Sequence, residues 1–483
     1  MVTENKSKGI LEKFSSNIDM LKKAGKIIED NKSDLISLQI ENTAIVKEFS
    51  NFDISQLIHI WKDTDKLIQL LYDKEKIDLS ERRGIGKTAV LLPSDAIMPF
   101  GLVYLAKALY NVNMKIKPST RTRPIYNKLE QLFKNADLKE FFINEDGSNI
   151  IDYLKRGDEF LFYSLNPDNG FKVIQIFGSD NYITPTIEKL IVQNKGLEKL
   201  ILEGPGNNEF IVTGHLTEID RCAKAIVDMA TINSGQVCQA TGIVYVDQKI
   251  LSKLLPYIIK YASEKKLGDP RISTTNIGPI RKEIAMNAYL QVQDAILKGA
   301  HIAYVTPNIK IETEVYSFIQ KVGKTKEINI IPPVNYTFKS GYSFFPLIVL
   351  TDVKDNMRVQ REEKFAPLIA IQTFNYIDEL YNKINNNRYG LNAVVFGDEY
   401  KYQINGRNPQ TSPLIHTLQN NVGQIFINTT ILDQGSYDVL YDTWGGYKNS
   451  RFMLYGAEIN NKRVLIKDQI GPGSTILDFT KPK

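Results

Sequence analysis

From about residue 88 onward, short apolar runs alternate with helical stretches, and that alternation limits what the chain can fold into more than any other feature. The runs Thr88–Leu92, Met114–Lys117, Val173–Phe177, Leu200–Leu202 and Ile243–Val246 are bounded by glycine, proline or charge. Stretches of helical character, such as Gly101–Tyr110 and Ile187–Gln193, separate them. Strands alternating with helices imply βαβ units and a mainly parallel sheet. The pattern resumes after Cys238 with Leu347–Leu350, Leu368–Ile371, Ala393–Phe396 and Gln424–Ile427, so the chain reads as two α/β domains. Ahead of them, residues 9–75 read as helices, with Ile10, Leu11, Phe14, Ile18 and Leu21 on one face. A chain of 483 residues is also too long for one ordinary core.

Several function classes lose support at once. The net charge is only +5, and no basic stripe interleaves with aromatics, so nucleic-acid binding is not indicated. No apolar run approaches the roughly 20 residues of a membrane span. The polar stretch Met1–Gly9 is not followed by an uninterrupted apolar core, so it does not read as a secretory signal. The two cysteines, Cys222 and Cys238, lie 16 positions apart in what reads as one helix and the turn after it. A structural disulfide is not expected there, and a cytoplasmic location fits. None of the 4 histidines pairs with another at ligand spacing, so no metal is expected. Gly84-Ile85-Gly86-Lys87-Thr88 imitates the end of a phosphate-binding loop, but Glu81 stands where that motif needs glycine. The following Thr88–Leu92 also reads as a strand where the motif needs a helix.

The chemistry concentrates in Asn233-Ser234-Gly235-Gln236-Val237-Cys238-Gln239-Ala240. A cysteine after a small, glycine-containing turn can face substrate near backbone N–H groups, a setting that lowers a thiol pKa and makes the sulfur nucleophilic. The competing reading is a buried cysteine that packs as a small hydrophobe.

This octapeptide resembles the nucleophile loop of the aldehyde dehydrogenase superfamily, and other segments match in the same order. Leu202-Glu203-Gly204-Pro205-Gly206-Asn207, with Glu203 placed 35 residues before Cys238, is similar to the segment that carries the general base. Leu267-Gly268-Asp269-Pro270 with Ile277-Gly278-Pro279, and then Gly341-Tyr342-Ser343-Phe344-Phe345-Pro346, resemble the blocks after the nucleophile. Arg361-Glu362-Glu363-Lys364-Phe365-Ala366-Pro367, Asn386-Asn387-Arg388-Tyr389-Gly390-Leu391 and Trp444-Gly445-Gly446-Tyr447-Lys448-Asn449-Ser450 complete the series. The resemblance runs from about residue 83 to 460. Each motif is weak alone; seven in order are specific.

The resemblance implies an aldehyde dehydrogenase-like α/β fold, with two Rossmann-like parallel-sheet domains and a small oligomerisation segment. It implies N-terminal helices at 1–74, a cofactor-binding domain at 75–204, a nucleophile domain at 205–430 and a C-terminal return at 431–483. It implies an NAD(P)-dependent oxidoreductase that converts an aldehyde to an acid through a thiohemiacetal and a thioester on Cys238, with Glu203 as general base. NADP or NAD would be held by Lys117 and Ser119 after one strand, and by Gly178 and Ser179 after another. In the family that Gly-Ser pair sets pyrophosphate at a helix N-terminus, where N–H groups and the dipole favour anions. Glu363 would hold the nicotinamide ribose diol, to which its two acceptor oxygens are suited, and Phe365 would pack near the ring. The expected partners are an aldehyde or acyl thioester and further copies of the chain, as a homodimer or homotetramer. Arg463-Val464-Leu465-Ile466 is the candidate edge strand for that pairing.

Three departures qualify this reading. Where the family carries an oxyanion-binding asparagine, Pro93-Ser94-Asp95-Ala96 offers Asp95, which cannot donate when ionised. Pro205-Gly206-Asn207 replaces Gly-Gly-Lys and resembles acyl-thioester reductases, which run from thioester to aldehyde, whereas Glu203 favours hydrolysis. Thr120 stands where NAD-preferring relatives often have glutamate, with Arg121 and Arg123 nearby, which leans toward NADP. Besides the dehydrogenase, two readings therefore stay open: a thioester reductase, and a non-catalytic binding protein on the same fold.

Overall fold

The computed structural model describes residues 9–306, 341–399, 412–433, 446–470 and 478–483. Trp444 and Gly445 of the last motif lie outside these residues.

The strands of the larger sheets are β1 (Thr88–Leu91), β2 (Met114–Lys117), β3 (Val173–Phe177), β4 (Lys199–Glu203), β5 (Asn208–Val212), β6 (Thr241–Asp247) and β7 (His301–Val305). They continue with β8 (Ile348–Thr351), β9 (Leu368–Phe374), β10 (Asn392–Phe396), β11 (Gln424–Ile427), β12 (Arg451–Ile459) and β13 (Lys462–Gln469). Six of them form one sheet in the order β13-β12-β4-β3-β1-β2. Its core of β4, β3, β1 and β2 is parallel, and β12 and β13 add on antiparallel. The other seven form a sheet in the order β11-β10-β5-β6-β9-β8-β7, parallel except for β7 at its edge. Strands β1, β3, β5 and β10 are buried at every position. Strands covered on both faces read as continuous apolar runs, which is why most were legible in the sequence. Thr88 begins β1 and is not the start of a helix, so the imitation phosphate loop is none.

The N-terminal region folds into α1 (Ser15–Asp30), α2 (Lys32–Thr43), α3 (Lys47–Lys62) and α4 (Thr64–Glu75). Ile10, Phe14, Ile18 and Leu21 are all buried, as their helical spacing predicts. Helix α3 lies against α5 (Met98–Tyr110), where Trp61 packs among Phe100, Tyr104 and Phe141 at 5.0–5.6 Å and donates its indole N–H to Gly101 O at 3.1 Å. The Asp53 carboxylate accepts from the N–H groups of Ile97 and Met98 at 2.8 and 2.9 Å, so a negative charge sits at the positive end of α5. This anchor fixes α3 beside Asp95, two residues before Ile97.

Cys222 lies in the helix Ile219–Thr231 and is 0% exposed within the second sheet's core. Burial holds its thiol far above the usual range. Cys222→Ala is expected to cost about 1–2 kcal/mol through lost packing and to leave turnover unchanged, a result that denaturation and steady-state assays would check together.

Candidate active site

Cys238 follows a tight turn in which Asn233, Ser234 and Gly235 all have positive φ, at 46°, 58° and 77°. Side chains lock the turn. Asn233 Nδ2 donates to Asp95 O at 3.4 Å and to Gln236 O at 3.2 Å, and Ser234 Oγ accepts from Gly278 N at 2.9 Å. A Cβ on Gly235 would stand 2.3 Å from the Ala366 carbonyl carbon, so only glycine lets the turn meet the segment behind Phe365.

The Glu203–Asn207 loop closes on the same place. Asn208 Nδ2 donates to Cys238 O at 2.8 Å, and a Cβ on Gly206 would lie 1.9 Å from that oxygen. Gly206 N–H donates to Glu363 Oε1 at 2.9 Å, and Lys364 Nζ donates to Asn207 Oδ1 at 3.2 Å. Gly206→Ala should therefore push Cys238 from its place. We expect a destabilisation of about 1–3 kcal/mol and an activity loss on the order of 10²-fold, read by thermal denaturation and kcat.

A cleft of about 1140 Å³ brings together all nine site residues expected from the sequence: Cys238, Glu203, Asp95, Lys117, Ser119, Gly178, Ser179, Glu363 and Phe365. Lys117 ends β2, and Gly178 follows β3, so the cleft runs across the carboxyl ends of parallel strands, where open α/β sheets bind ligands. Its volume exceeds the usual range for a small-molecule pocket and suits a dinucleotide with a substrate beside it. Lys117 is buried, its Nζ donates to Pro118 O at 2.6 Å, and burial lowers its pKa. Phe365 lines the cleft with φ at +51°.

The electrostatics differ from the sequence expectation in one respect. The turn does not lower the Cys238 pKa. Burial pushes the thiol well up, and the carboxyl groups of Glu363, Asp95 and Glu203 raise it further. Those acids are themselves raised by burial: Asp95 to about 6, Glu203 to about 7 and Glu363 to about 8. Arg281 opposes the rise at Asp95, and the Gly206 N–H opposes it at Glu363. Three acids raise the thiol, and burial holds each of them above the usual carboxylate range.

A second difference concerns Ser179. It does not open an α-helix. Its Oγ accepts from Asn181 N at 3.2 Å and caps a three-residue 3₁₀ turn, Asp180–Tyr182. The α-helix begins at Pro185, capped by Thr184 Oγ1. Proline at that position fixes the first helical φ, so the helix starts there and not at the Gly-Ser pair.

The sequence did not reveal what holds Glu203. Its Oε1 accepts from Arg451 Nε at 2.8 Å and from Gln175 Nε2 at 3.1 Å. Arg451 is 1% exposed and also donates to Asp478 Oδ2 at 2.5 Å. Arg451 stands directly across from Glu203 in the antiparallel β4–β12 pair. It adjoins Ser450 of the last motif, which was the only available signal.

Two parallel sheets, with a cysteine turn and carboxylates facing one cleft at their strand ends, define the class of cysteine-bearing α/β oxidoreductase folds. The profile of the aldehyde dehydrogenase family matches residues 13–317 and 310–458, and the chain belongs to that family. A 3-sulfolactaldehyde dehydrogenase of Priestia aryabhattai is 26% identical over 76% of this chain. The match spans only 65% of that relative's length. A D-glyceraldehyde dehydrogenase (NADP(+)) of Picrophilus torridus is 26% identical over 79% of the chain and 71% of its own. The lactaldehyde dehydrogenase structure from Escherichia coli superposes with a TM-score of 0.69 at 18% identity, covering 97% of this chain and 90% of that one, so the fold is shared.

Proposed function

We propose that this protein oxidises an aldehyde to its acid with NADP⁺ or NAD⁺, using Cys238 as nucleophile and Glu203 as general base. The observation that carries the reading is the convergence of Cys238, Glu203, Asp95 and Glu363 on one dinucleotide-sized cleft. The Cys238 sulfur adds to the carbonyl carbon, and its S–H proton ends on the former carbonyl oxygen to give the thiohemiacetal; Asp95, which lines the same cleft, would interact with that oxygen. Bound NAD(P)⁺ supplies the hydride acceptor and a positive charge that offsets the three acids. Loss of hydride to the cofactor and of the hydroxyl proton to solvent would leave a thioester on Cys238, which water then cleaves to the acid and the Cys238 thiol. Glu203, raised to about 7, takes a proton from the attacking water. Lys117, Ser119, Gly178 and Ser179 line the arm for the adenosine and phosphates, and Arg121 in the same cleft supports NADP. Glu363 would hold the ribose diol, whose hydroxyls would take the place of the Gly206 N–H on its carboxylate.

Turnover is expected to rise with pH through about 7, as Glu203 becomes free to accept a proton. Glu203→Gln should lose that limb and accumulate the thioester, as a pre-steady-state burst of NADPH would show. An unchanged pH profile in Glu203→Gln would remove Glu203 from the base role.

A second reading, reduction of an acyl thioester, is favoured by one specific observation: Arg451 and Gln175 both engage Glu203 Oε1, which holds the carboxyl in a buried ion pair. NADPH oxidation with acyl-CoA, faster than NADP⁺ reduction with the matching aldehyde, would establish it.

We further propose a cofactor-binding domain at 75–204, a nucleophile domain at 205–430, and a C-terminal return whose strand β13 mediates self-association. β13 is the outer strand of its sheet and includes Arg463–Ile466, so its free edge can pair with another chain. Light scattering at micromolar concentration should give the mass of two or four chains; a monomer would count against this role. Among the described residues no helix is long and apolar enough to cross a membrane. Two free thiols fit a reducing cytoplasm.

A further inference from the structure

The lining of the cleft falls into two chemically distinct parts. The strand-end part is polar. The cleft's cations are already engaged: Arg121 and Arg281, the latter at the head of the helix Lys282–Leu297, face Glu283 at 3.7 and 3.6 Å, Arg156 faces Asp158 at 3.5 Å, and Lys117 and Lys364 are buried with their Nζ groups on backbone carbonyls. The other part is contributed by α3, the start of α5, the end of the helix Ile219–Thr231 and the turn Ile431–Asp433. It presents Phe49, Phe52, Met98, Met229, Ile232 and Leu432.

This second wall is fixed relative to the nucleophile. Phe49 and Phe52 lie one helical turn apart on α3, with ring centroids 5.8 Å apart. Asp53 ties the same helix to the N–H groups that follow Asp95. Met229 and Ile232 lead directly into the Cys238 turn. Phe52 and Leu432 are 37% and 44% exposed, so large apolar side chains are left open to solvent at the cleft. The wall's polar side chains, Gln56 and Gln239, are uncharged amides. Gln56 is 4% exposed and its Oε1 has no protein partner, so it offers a hydrogen bond but no counter-ion. No lysine or arginine belongs to this wall among the described residues.

We propose that this wall selects an uncharged aldehyde with an apolar body, such as a medium-chain or aryl-substituted aldehyde. Sulfonated, carboxylated or polyhydroxylated aldehydes would be discriminated against, unlike the substrates in the names of the relatives above. The inference rests on the dehydrogenase reading but is separable from it. Each methylene buried against the wall should raise kcat/KM by roughly threefold until the wall is filled.

The test compares ethanal, butanal, hexanal, phenylacetaldehyde, D-glyceraldehyde and succinic semialdehyde on the full chain, with NADP⁺ and separately with NAD⁺. It is paired with thermal-shift binding of the unreactive amides hexanamide, glyceramide and succinamate. The expected result is a rising series to hexanal, with the polar and anionic aldehydes at least tenfold below it and the amides in the same order. Phe52→Ala, at a half-exposed position that the fold tolerates, should flatten the chain-length slope. Equal or better turnover of succinic semialdehyde or glyceraldehyde would overturn the inference while leaving the dehydrogenase reading intact. Preferential hexanamide binding without turnover of any aldehyde would uphold the wall's selectivity and defeat the dehydrogenase reading. Neither turnover nor selective amide binding would defeat both.

Discussion

Cys238→Ala is expected to lower kcat on the order of 10⁴–10⁶-fold, the largest effect of any substitution in this protein. The proposed reaction is split by a covalent bond to sulfur, and alanine offers no atom to make it. The loss should fall on chemistry and not on cofactor binding. Among the expected dinucleotide contacts, Lys117 ends β2, Ser119 follows it, and Gly178 and Ser179 follow β3, and none depends on the thiol for its position. The turn itself is held by Asn233 and Ser234 and not by Cys238 Sγ. NADP⁺ affinity should therefore stay within about twofold, as fluorescence quenching would show. If the Cys238→Ala protein kept its activity while Cys222→Ala lost it, the assignment of the nucleophile would be wrong.

The positions of these groups were legible to different depths. Continuous apolar runs located β1, β3 and β10 nearly to the residue, because parallel strands covered on both faces leave no polar alternation to obscure them. β5 went unread. Its Asn208-Glu209 start looks like loop, yet Glu209 is buried and takes a hydrogen bond from Asn387 Nδ2 at 2.6 Å. β7 was also missed; it is the antiparallel edge strand, with exposed His301 at its head. The nine site residues could be placed because the motif order is colinear with the strands that deliver them. What the sequence could not carry was the ion pairing of Glu203. That depends on the register of β4 against β12, strands separated by 248 positions. The helix read as Ile187–Gln193 runs from Pro185, its start set by the proline and the Thr184 cap, so the Gly178-Ser179 pair is followed first by a 3₁₀ turn.

Asp95→Asn is expected to raise the rate above pH 6, by as much as about 10²-fold at pH 8. One preorganised oxyanion donor is worth about 10²–10³ in rate. Burial raises Asp95 to about 6. Below that pH its protonated carboxyl can donate, and the wild-type and the Asn protein should have similar rates. Above it the wild-type carboxylate faces the developing oxyanion with no proton to give, and it also opposes formation of the Cys238 thiolate. The amide keeps the shape, removes the charge and donates at every pH. Both effects act in the same direction, so the ratio of Asn to wild-type rates should climb as pH rises through about 6. A large loss on substitution would instead assign Asp95 a role of its own, such as protonating the departing oxygen or holding a cationic substrate group. Identical pH profiles would remove it from the oxyanion position.

The central claim is that an acyl group is carried on Cys238. The most direct test is to mix Glu203→Gln protein with NADP⁺ and hexanal, quench in acid within milliseconds to seconds, and map the adduct by peptide mass spectrometry. Our account predicts one hexanoyl group per active chain, on the peptide containing Cys238, appearing in step with one equivalent of NADPH. NADPH formation with no acyl adduct on Cys238, or with the adduct on Cys222, would contradict it.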